Sequence, residues 1–407
     1  MGLKTSVRTA LGDQLAEARA HTDALFGIVR REALYERPVP ERHRIIFYLG
    51  HLEAFDWNLL GLGSLALPSF HPELDRLFAF GIDPEPGQLP SDVPSQWPEL
   101  DDVYRYNARV RQILDGVVHE LPEALLHVAL EHRWMHAETF SYLLHNLSSS
   151  LKDLPPPEHA AASSSPVSPM IRIPKGLVTL GQKPGDSFGW DNEYDAHMVH
   201  VPSFTMSKYK VTNGQYLDFI RAGASPPHFW TWREGRWYWR TMAGDIPLPL
   251  DWPVYVTSRE ARDYAQWAGK NLPTEAQFHR AAYGTPQGDE QPYPWGTDAP
   301  DYDRGNFNFH SWDPISVTAT PMGDSAFGVS QLVGNGWEWT STTFHPFPGF
   351  KPFDFYPGYS LPFFDGEHYV LKGASPRTAV CFLRRSFRNW FRSTYRYVYA
   401  AFRLVEN

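Results

Sequence analysis

Glu131-His132-Arg133-Trp134-Met135-His136-Ala137-Glu138 lies inside a run of helical periodicity from Pro122 to Asn146. Residues four apart on a helix stand one above the other, so His132 and His136 aim both imidazoles at one point. Metal ligands use that spacing, and so do surface pairs and helix-packing pairs. The same period runs upstream. From Ser6 to Arg31, Val7, Leu11, Leu15, Ala18, Leu25 and Ile28 mark a first amphipathic helix, which Pro38 and Pro40 close off. From Arg42 to Leu65, Ile45, Leu49, Leu52, Phe55, Leu59 and Leu62 mark one face of a second, with His51 inside it. Gly81 to Pro98 holds five Pro and two Gly and reads as a long loop. A third helix from Glu99 to about Glu120 carries Val103, Tyr106, Val110, Ile113 and Leu114, and the His-bearing helix is the fourth. Four helices with one long crossover predict a four-helix bundle over residues 1–150, in which His51 on the second helix can meet His132 and His136 on the fourth.

The pattern then changes. Residues 151–169, with Pro155-Pro156-Pro157 and Ser163-Ser164-Ser165-Pro166, cannot bury a core and are expected to be a linker. From residue 170 to 407, short strand-like runs such as Leu177-Val178-Thr179-Leu180, His200-Val201 and Phe204-Thr205-Met206 alternate with turn residues. Two helices are expected there: Asn213–Ala222, capped by Thr212 or Asn213, and Ser258–Lys270, capped by Ser258. The fold class is therefore α plus α+β.

At 407 residues the chain is long enough for two cores. Its net charge of −9, with both signs interspersed, offers no basic stripe for phosphates, which argues against a nucleic-acid partner. Aromatic residues make up 15% of the chain, 15 of them Trp, which suits a loop-rich fold or a cleft walled by rings. The single Cys381 excludes an intramolecular disulfide and any CxxC motif. The first residues lack the apolar core of a signal peptide, and no window approaches 18 apolar residues. The expectation is a cytoplasmic chain without a membrane partner.

Four stretches in the second half resemble the formylglycine-generating-enzyme (sulfatase-modifying-factor) fold, a C-type-lectin-like domain. They are Tyr209-Lys210-Val211-Thr212-Asn213-Gly214-Gln215-Tyr216, Asn271-Leu272-Pro273-Thr274-Glu275-Ala276-Gln277-Phe278, Gly334-Asn335-Gly336-Trp337-Glu338-Trp339-Thr340 and Ala401-Phe402-Arg403-Leu404. The activity that names that fold needs a pair of cysteines, so the resemblance carries the fold and not the activity. The first half resembles a DinB-type bundle. A DinB bundle ahead of this domain is similar to the ergothioneine-biosynthesis sulfoxide synthases (EgtB, with the related OvoA) and to the selenoneine synthases (SenA). In that family a helix HxxxHxE supplies two ligands of a non-haem Fe(II) and an earlier Gly-His pair supplies the third. The resemblance assigns these ligand places to His132, His136 and His51.

What the resemblance implies is O2-dependent formation of a C–S or C–Se bond at the imidazole carbon between the ring nitrogens of hercynine. Three imidazoles on one face of an octahedral ion leave positions open for small-molecule substrates and O2. Three His also suit Zn2+ with a water, so ligand type alone leaves the metal open. Glu138, two residues beyond His136, is turned roughly 200° around the helix and is read either as a carboxylate supporting a ligand or as a structural carboxylate hydrogen-bonding another helix. The family's substrate segment matches Ser386-Phe387-Arg388-Asn389-Trp390-Phe391, which assigns hercynine contacts to Asn389 and Trp390. Phe391 stands where relatives that use γ-glutamylcysteine have an Asp, and Met135 where some place a polar substrate contact. No Arg or Lys occurs from Leu77 to Tyr104, so a carboxylate-rich thiol finds little to pair with. The expected donor is a selenosugar or cysteine. Candidates for the acid/base group are Tyr356, Tyr104 and Tyr106. Two other readings stand beside this one: a zinc-dependent DinB-type thiol transferase, and a non-enzymatic lectin-like binding protein with a structural metal.

Overall fold

The helical period of the first part is realised in five α-helices of a computed structural model that describes residues 2–82, 88–157 and 163–407, the side chains of residues 2–7 and 9 excepted. Part of the expected 81–98 loop, part of the expected linker and the side chain of Val7 therefore lie outside the described residues. The chain divides into two units, Met1–Pro156 and Pro157–Asn407.

In the first unit the helices are α1 (Gly2–Gly27), α2 (Ile45–Asp56), α3 (Pro72–Phe80), α4 (Leu100–Val117) and α5 (Glu123–Asn146). Leu11, Leu15, Ala18 and Leu25 of α1 are buried, and Phe26 packs on Phe140 of α5 with ring centroids 4.4 Å apart. The second helix does not run as one α-helix to Leu65. It continues as a π-helix, Trp57–Ser64, closed by a bond from Leu65 N–H to the Leu60 carbonyl. The wider turn moves the apolar face, so Leu60 and Gly61 are buried where an α-helical period points Leu59 and Leu62. Gly61 is required there, because a Cβ would lie 2.4 Å from the Trp57 ring.

Helix α3 was not expected. Its start is nonetheless marked, by His71 accepting from Leu74 N–H at 3.4 Å, Pro72 in the first turn, and acidic Glu73 and Asp75. Its nine residues are too few for a period to stand out. The interior of the bundle also holds an ion network. Arg133 of α5 donates to Glu53 at 3.0 Å and to Asp56 at 2.7 Å, both on α2, and Arg111 of α4 reaches Glu53 at 2.7 Å.

The second unit contains β1 (Met170–Ile173), β2 (Gly176–Leu180), β3 (His197–Val201), β4 (Phe204–Ser207), β5 (Trp230–Arg233), β6 (Arg236–Arg240), β7 (Asp245–Pro247), β8 (Gly336–Thr343), β9 (His368–Ala374), β10 (Asn389–Arg392), β11 (Ala400–Ala401) and β12 (Val405–Glu406). They form sheets ordered β1-β4-β12, β10-β9-β8-β11, β2-β3 and β5-β6-β7. Three helices accompany them: α6 (Asn213–Arg221), α7 (Ser258–Trp267) and α8 (Glu275–Tyr283). Thr212 caps α6. The cap of α7 is Thr257 rather than Ser258: its hydroxyl accepts from Glu260 N–H at 3.1 Å while the Glu260 carboxylate accepts from Thr257 N–H at 2.7 Å. Helix α8, another unexpected element, starts with the same box between Thr274 and Gln277.

The four quoted stretches turn out to be the frame of this unit. Glu338 is fully buried and accepts from Arg403 at 2.7 Å and Lys210 at 2.6 Å, and Glu275 accepts from the buried Arg388 at 3.0 Å. The expected linker is tied down at both ends. Asp153 N–H bonds to the Ile28 carbonyl at 2.8 Å, and Ser165 shares a 2.6 Å hydrogen bond with Thr212. Among the described residues, no helix is long and apolar enough to cross a membrane.

Candidate metal centre

Helix α5 presents His132 and His136 one turn apart, and α2 brings His51 against them. The ligand atoms of the three imidazoles lie within 4.8 Å of one another, and the ring centroids are 4.5–5.3 Å apart. The face is set by packing. Phe55 lies flat on His132 with centroids 3.4 Å apart, and Phe47 stacks on His51 at 4.7 Å. Nδ1 of His51 is 2.6 Å from the Phe78 carbonyl of α3. A carbonyl only accepts, so that nitrogen carries the proton and Nε2 keeps its lone pair.

Burial is the main cause of the low basicity of all three. It lowers His51 to about 4 despite the Phe78 hydrogen bond, and lowers His132 and His136 well below the usual histidine range, with neighbouring imidazoles adding to it. At neutral pH the cluster therefore offers three neutral lone pairs. Nδ1 of His132 and of His136 are buried without a hydrogen-bond partner. Three imidazoles whose ligand atoms lie this close together, with no acidic group among them, form a donor set that fits a cation. Three imidazoles without thiolate or carboxylate suit a borderline divalent ion such as Fe(II) or Zn(II). Glu138 is buried but does not belong to the cluster. Met135 is half-buried beside His136 on the same helix.

The remaining expected residues fall into separate settings. Tyr106 is buried in α4 and donates to Asp75 at 2.7 Å, and burial, then Asp75, push its hydroxyl pKa upward. Tyr104, one helix position pair away, is 43% exposed. The others lie in the second unit. Trp390 of β10 stacks on Phe344 at 4.3 Å and 6°, and meets Tyr359 edge-on at 5.3 Å. Tyr359 stacks in turn on Trp190 at 3.9 Å, and Tyr356 packs edge-on to Trp190 at 6.3 Å. Tyr356 and Trp390 thus belong to one aromatic cluster, and burial followed by the nearby Asp191 raises the Tyr356 hydroxyl pKa. Asn389 accepts from Trp390 N–H at 2.9 Å, and Phe391 stacks on Tyr395 at 4.9 Å. Side chains alternate along a strand, so Trp390 faces away from Asn389 and Phe391.

Sequence reasoning missed the Phe78 carbonyl, the Arg133 network and the rings around Trp390. A main-chain acceptor leaves no residue signature, and the other two join residues distant in the chain. The adjacency of Glu53, Asp56 and Arg133 to the histidines was the available signal for the network.

Comparison with known proteins adds a family. A model described as the sulfatase-modifying factor enzyme 1-like domain matches residues 156–407. Over 442 residues the chain is 32% identical to the hercynine oxygenase of Mycolicibacterium thermoresistibile, covering 99% of this chain and 96% of that protein. It is also 32% identical to the hercynine oxygenase of Mycolicibacterium smegmatis, over 98% of this chain and 99% of that one. Ergothioneine biosynthesis protein 1 of Schizosaccharomyces pombe is 28% identical over 93% of this chain and 54% of its own length.

Proposed function

The chain belongs to the hercynine oxygenase family and carries that family's sulfatase-modifying-factor-like domain, and from this premise we propose that it is an Fe(II)- and O2-dependent enzyme acting on hercynine. The reaction in this reading joins the imidazole carbon between the ring nitrogens to sulfur or selenium. With a thiol, one C–H and one S–H bond are lost, a C–S bond forms, one oxygen atom of O2 goes to sulfur and the other leaves as water. The observation that carries the reading is the convergence of His51, His132 and His136, all neutral, on two facing helices, with His51 and His132 buried and His136 half-buried.

Iron held there would supply an O2-activating centre with coordination positions left for substrates. The chain's own residues do the rest. His51, His132 and His136 would hold the ion through their neutral ring nitrogens. Trp390, walled by Phe344 and Tyr359, offers π faces to the permanent trimethylammonium, which no carboxylate needs to neutralise. In the first unit this reading assigns Met135, half-buried beside His136, to the substrates; in the second it rests on Trp390, since Asn389 and Phe391 lie on the other face of the strand. Tyr356 holds the proton to be given up or taken, with Tyr104 as the second candidate. Tyr106, whose hydroxyl is committed to Asp75, has a structural part instead. The sulfur or selenium donor is a selenosugar or cysteine, because residues 77–104 bring no cation for the carboxylates of γ-glutamylcysteine.

Anaerobic reconstitution with Fe(II), then hercynine with a selenosugar, cysteine or γ-glutamylcysteine and a pulse of O2, tests the reading. The expected result is O2-dependent product with one of the first two donors and at least about 10-fold lower kcat/KM for the third, one bidentate charge pair being worth that much. No product with any donor, or turnover with zinc in the absence of O2, overturns it.

A further inference from the structure

The Gly-His pair at Gly50-His51 contains a glycine that the metal itself does not need. Its reason lies across the helix interface. A Cβ on Gly50 would stand 2.5 Å from three carbons of the Phe78 ring, so only glycine lets α3 approach α2 this closely. That approach is what brings the Phe78 carbonyl within 2.6 Å of His51 Nδ1. Phe78 lies in the last turn of α3, where carbonyls have no intrahelical partner and the helix dipole makes them better acceptors. Helix α3 is in turn pinned by one buried residue. Asp75 accepts from Tyr106 Oη at 2.7 Å and from Ser69 Oγ, and its carbonyl accepts from Asn58 Nδ2 at 3.1 Å.

We propose that Gly50 and the Asp75–Tyr106 pair are positioning residues for the metal face, acting through the Phe78 carbonyl to fix the tautomer and aim of His51. The proposal rests on the three-histidine reading given above. It goes beyond that reading by making α3, which contributes no ligand, part of the machinery that determines metal affinity.

The test uses the full-length chain, with Co(II) as a spectroscopic probe and Fe(II) affinity measured by competition under anaerobic conditions. Wild type is expected to bind one Co(II) per chain with ligand-field bands. Gly50→Ala is expected to weaken binding about 10-fold or more and to shift those bands, in the range typical for losing a residue that supports a ligand. The double variant Gly50→Ala/Phe78→Ala removes the clash while keeping the carbonyl. It should regain most of the affinity and the wild-type spectrum although its metal-free form melts lower, because a buried ring has been lost. Tyr106→Phe, which removes one hydroxyl and keeps the ring, should shift the bands and weaken binding to a lesser degree. If Gly50→Ala does not fold, Tyr106→Phe decides alone. Affinities that track melting temperature, with the double variant worst in both, overturn the proposal, as does Tyr106→Phe with wild-type affinity and spectrum. Absence of Co(II) binding by wild type overturns the triad reading itself and this proposal with it.

Discussion

At the scale of single residues polar groups are buried in two ways, uncharged and charge-paired, and the first unit holds both, the latter in Arg133 with Glu53 and Asp56. Its three imidazoles are kept uncharged by burial. His136→Ala should therefore cost little of the fold and most of the metal. The expected outcome is an unchanged far-ultraviolet circular dichroism spectrum with metal binding weakened by more than about 100-fold, beyond the effect of losing a supporting residue. A chain that unfolds on this substitution would favour a structural metal instead. The second unit buries a carboxylate fully satisfied by cations. Burial pushes the Glu338 carboxyl up, but Arg403 and Lys210 outweigh it and hold it below the usual range. A carboxyl with a depressed folded pKa stabilises above its unfolded value of about 4.3 and loses that stabilisation as pH falls below it. Melting temperature should thus drop as pH goes below that value, and Glu338→Gln should flatten the acid limb. The same variant should lose about 3–5 kcal/mol at pH 7, because two buried cations lose their partner. Denaturant titrations at pH 7 and pH 4 measure both effects.

At the scale of elements, the registry of α2 against α5 decides whether three histidines meet. On the helices, Arg133 directly follows His132, while Glu53 and Asp56 follow His51 by two and five residues. The ion network therefore ties the same two helices at the level of the three histidines. Arg133→Met should leave Glu53 and Asp56 buried without their main cation and cost about 3–5 kcal/mol in a urea titration. Adding Glu53→Met and Asp56→Met should return much of that loss, since apolar replacement of a whole buried network is often neutral. Recovery of stability without recovery of metal affinity would show the network setting registry rather than supplying stability. The helices that could be read in advance are those whose period repeats over several turns, α1, α4, α5 and most of α2, and the short α6 and α7 that begin at caps; the His132–His136 pair was legible from the same repeat. Helices α3 and α8, each nine residues long, could be found only by their caps, His71-Pro72 and Thr274 with Gln277. The π-helical end of α2 was not legible, because a change of pitch leaves the composition untouched. The partners of Trp390 were hidden for another reason: Phe344 and Tyr359 come to it from other segments of the fold and not from its own strand.

At the scale of the molecule, the two proposed roles sit on different units, metal holding in residues 1–156 and hercynine recognition in residues 157–407. The four stretches that resemble the sulfatase-modifying-factor fold account for much of the second unit's frame, through Lys210, Glu275, Glu338 and Arg403, while Arg388, the partner of Glu275, comes from the Ser386–Phe391 segment beside Trp390. A frame held by these pairs can serve both a formylglycine-generating enzyme and a chain with a single cysteine, since the paired residues are not those proposed for the site. The division of roles between units also makes them separable by mutation. Trp390 is half-buried and stacked on Phe344, so Trp390→Ala removes a π face without touching Glu275, Glu338 or their cations. The expected outcome is a hercynine KM raised about 10-fold or more, corresponding to roughly 1.4 kcal/mol or more of lost cation–π and packing contact, while Fe(II) stoichiometry and affinity stay at the wild-type value. Replacing Trp390 by Phe, which keeps a ring and loses area, should give an intermediate KM. A Trp390→Ala variant with wild-type hercynine KM would place the trimethylammonium elsewhere and leave Trp390 as packing, whereas loss of iron together with KM would show that the two units do not divide the work in this way.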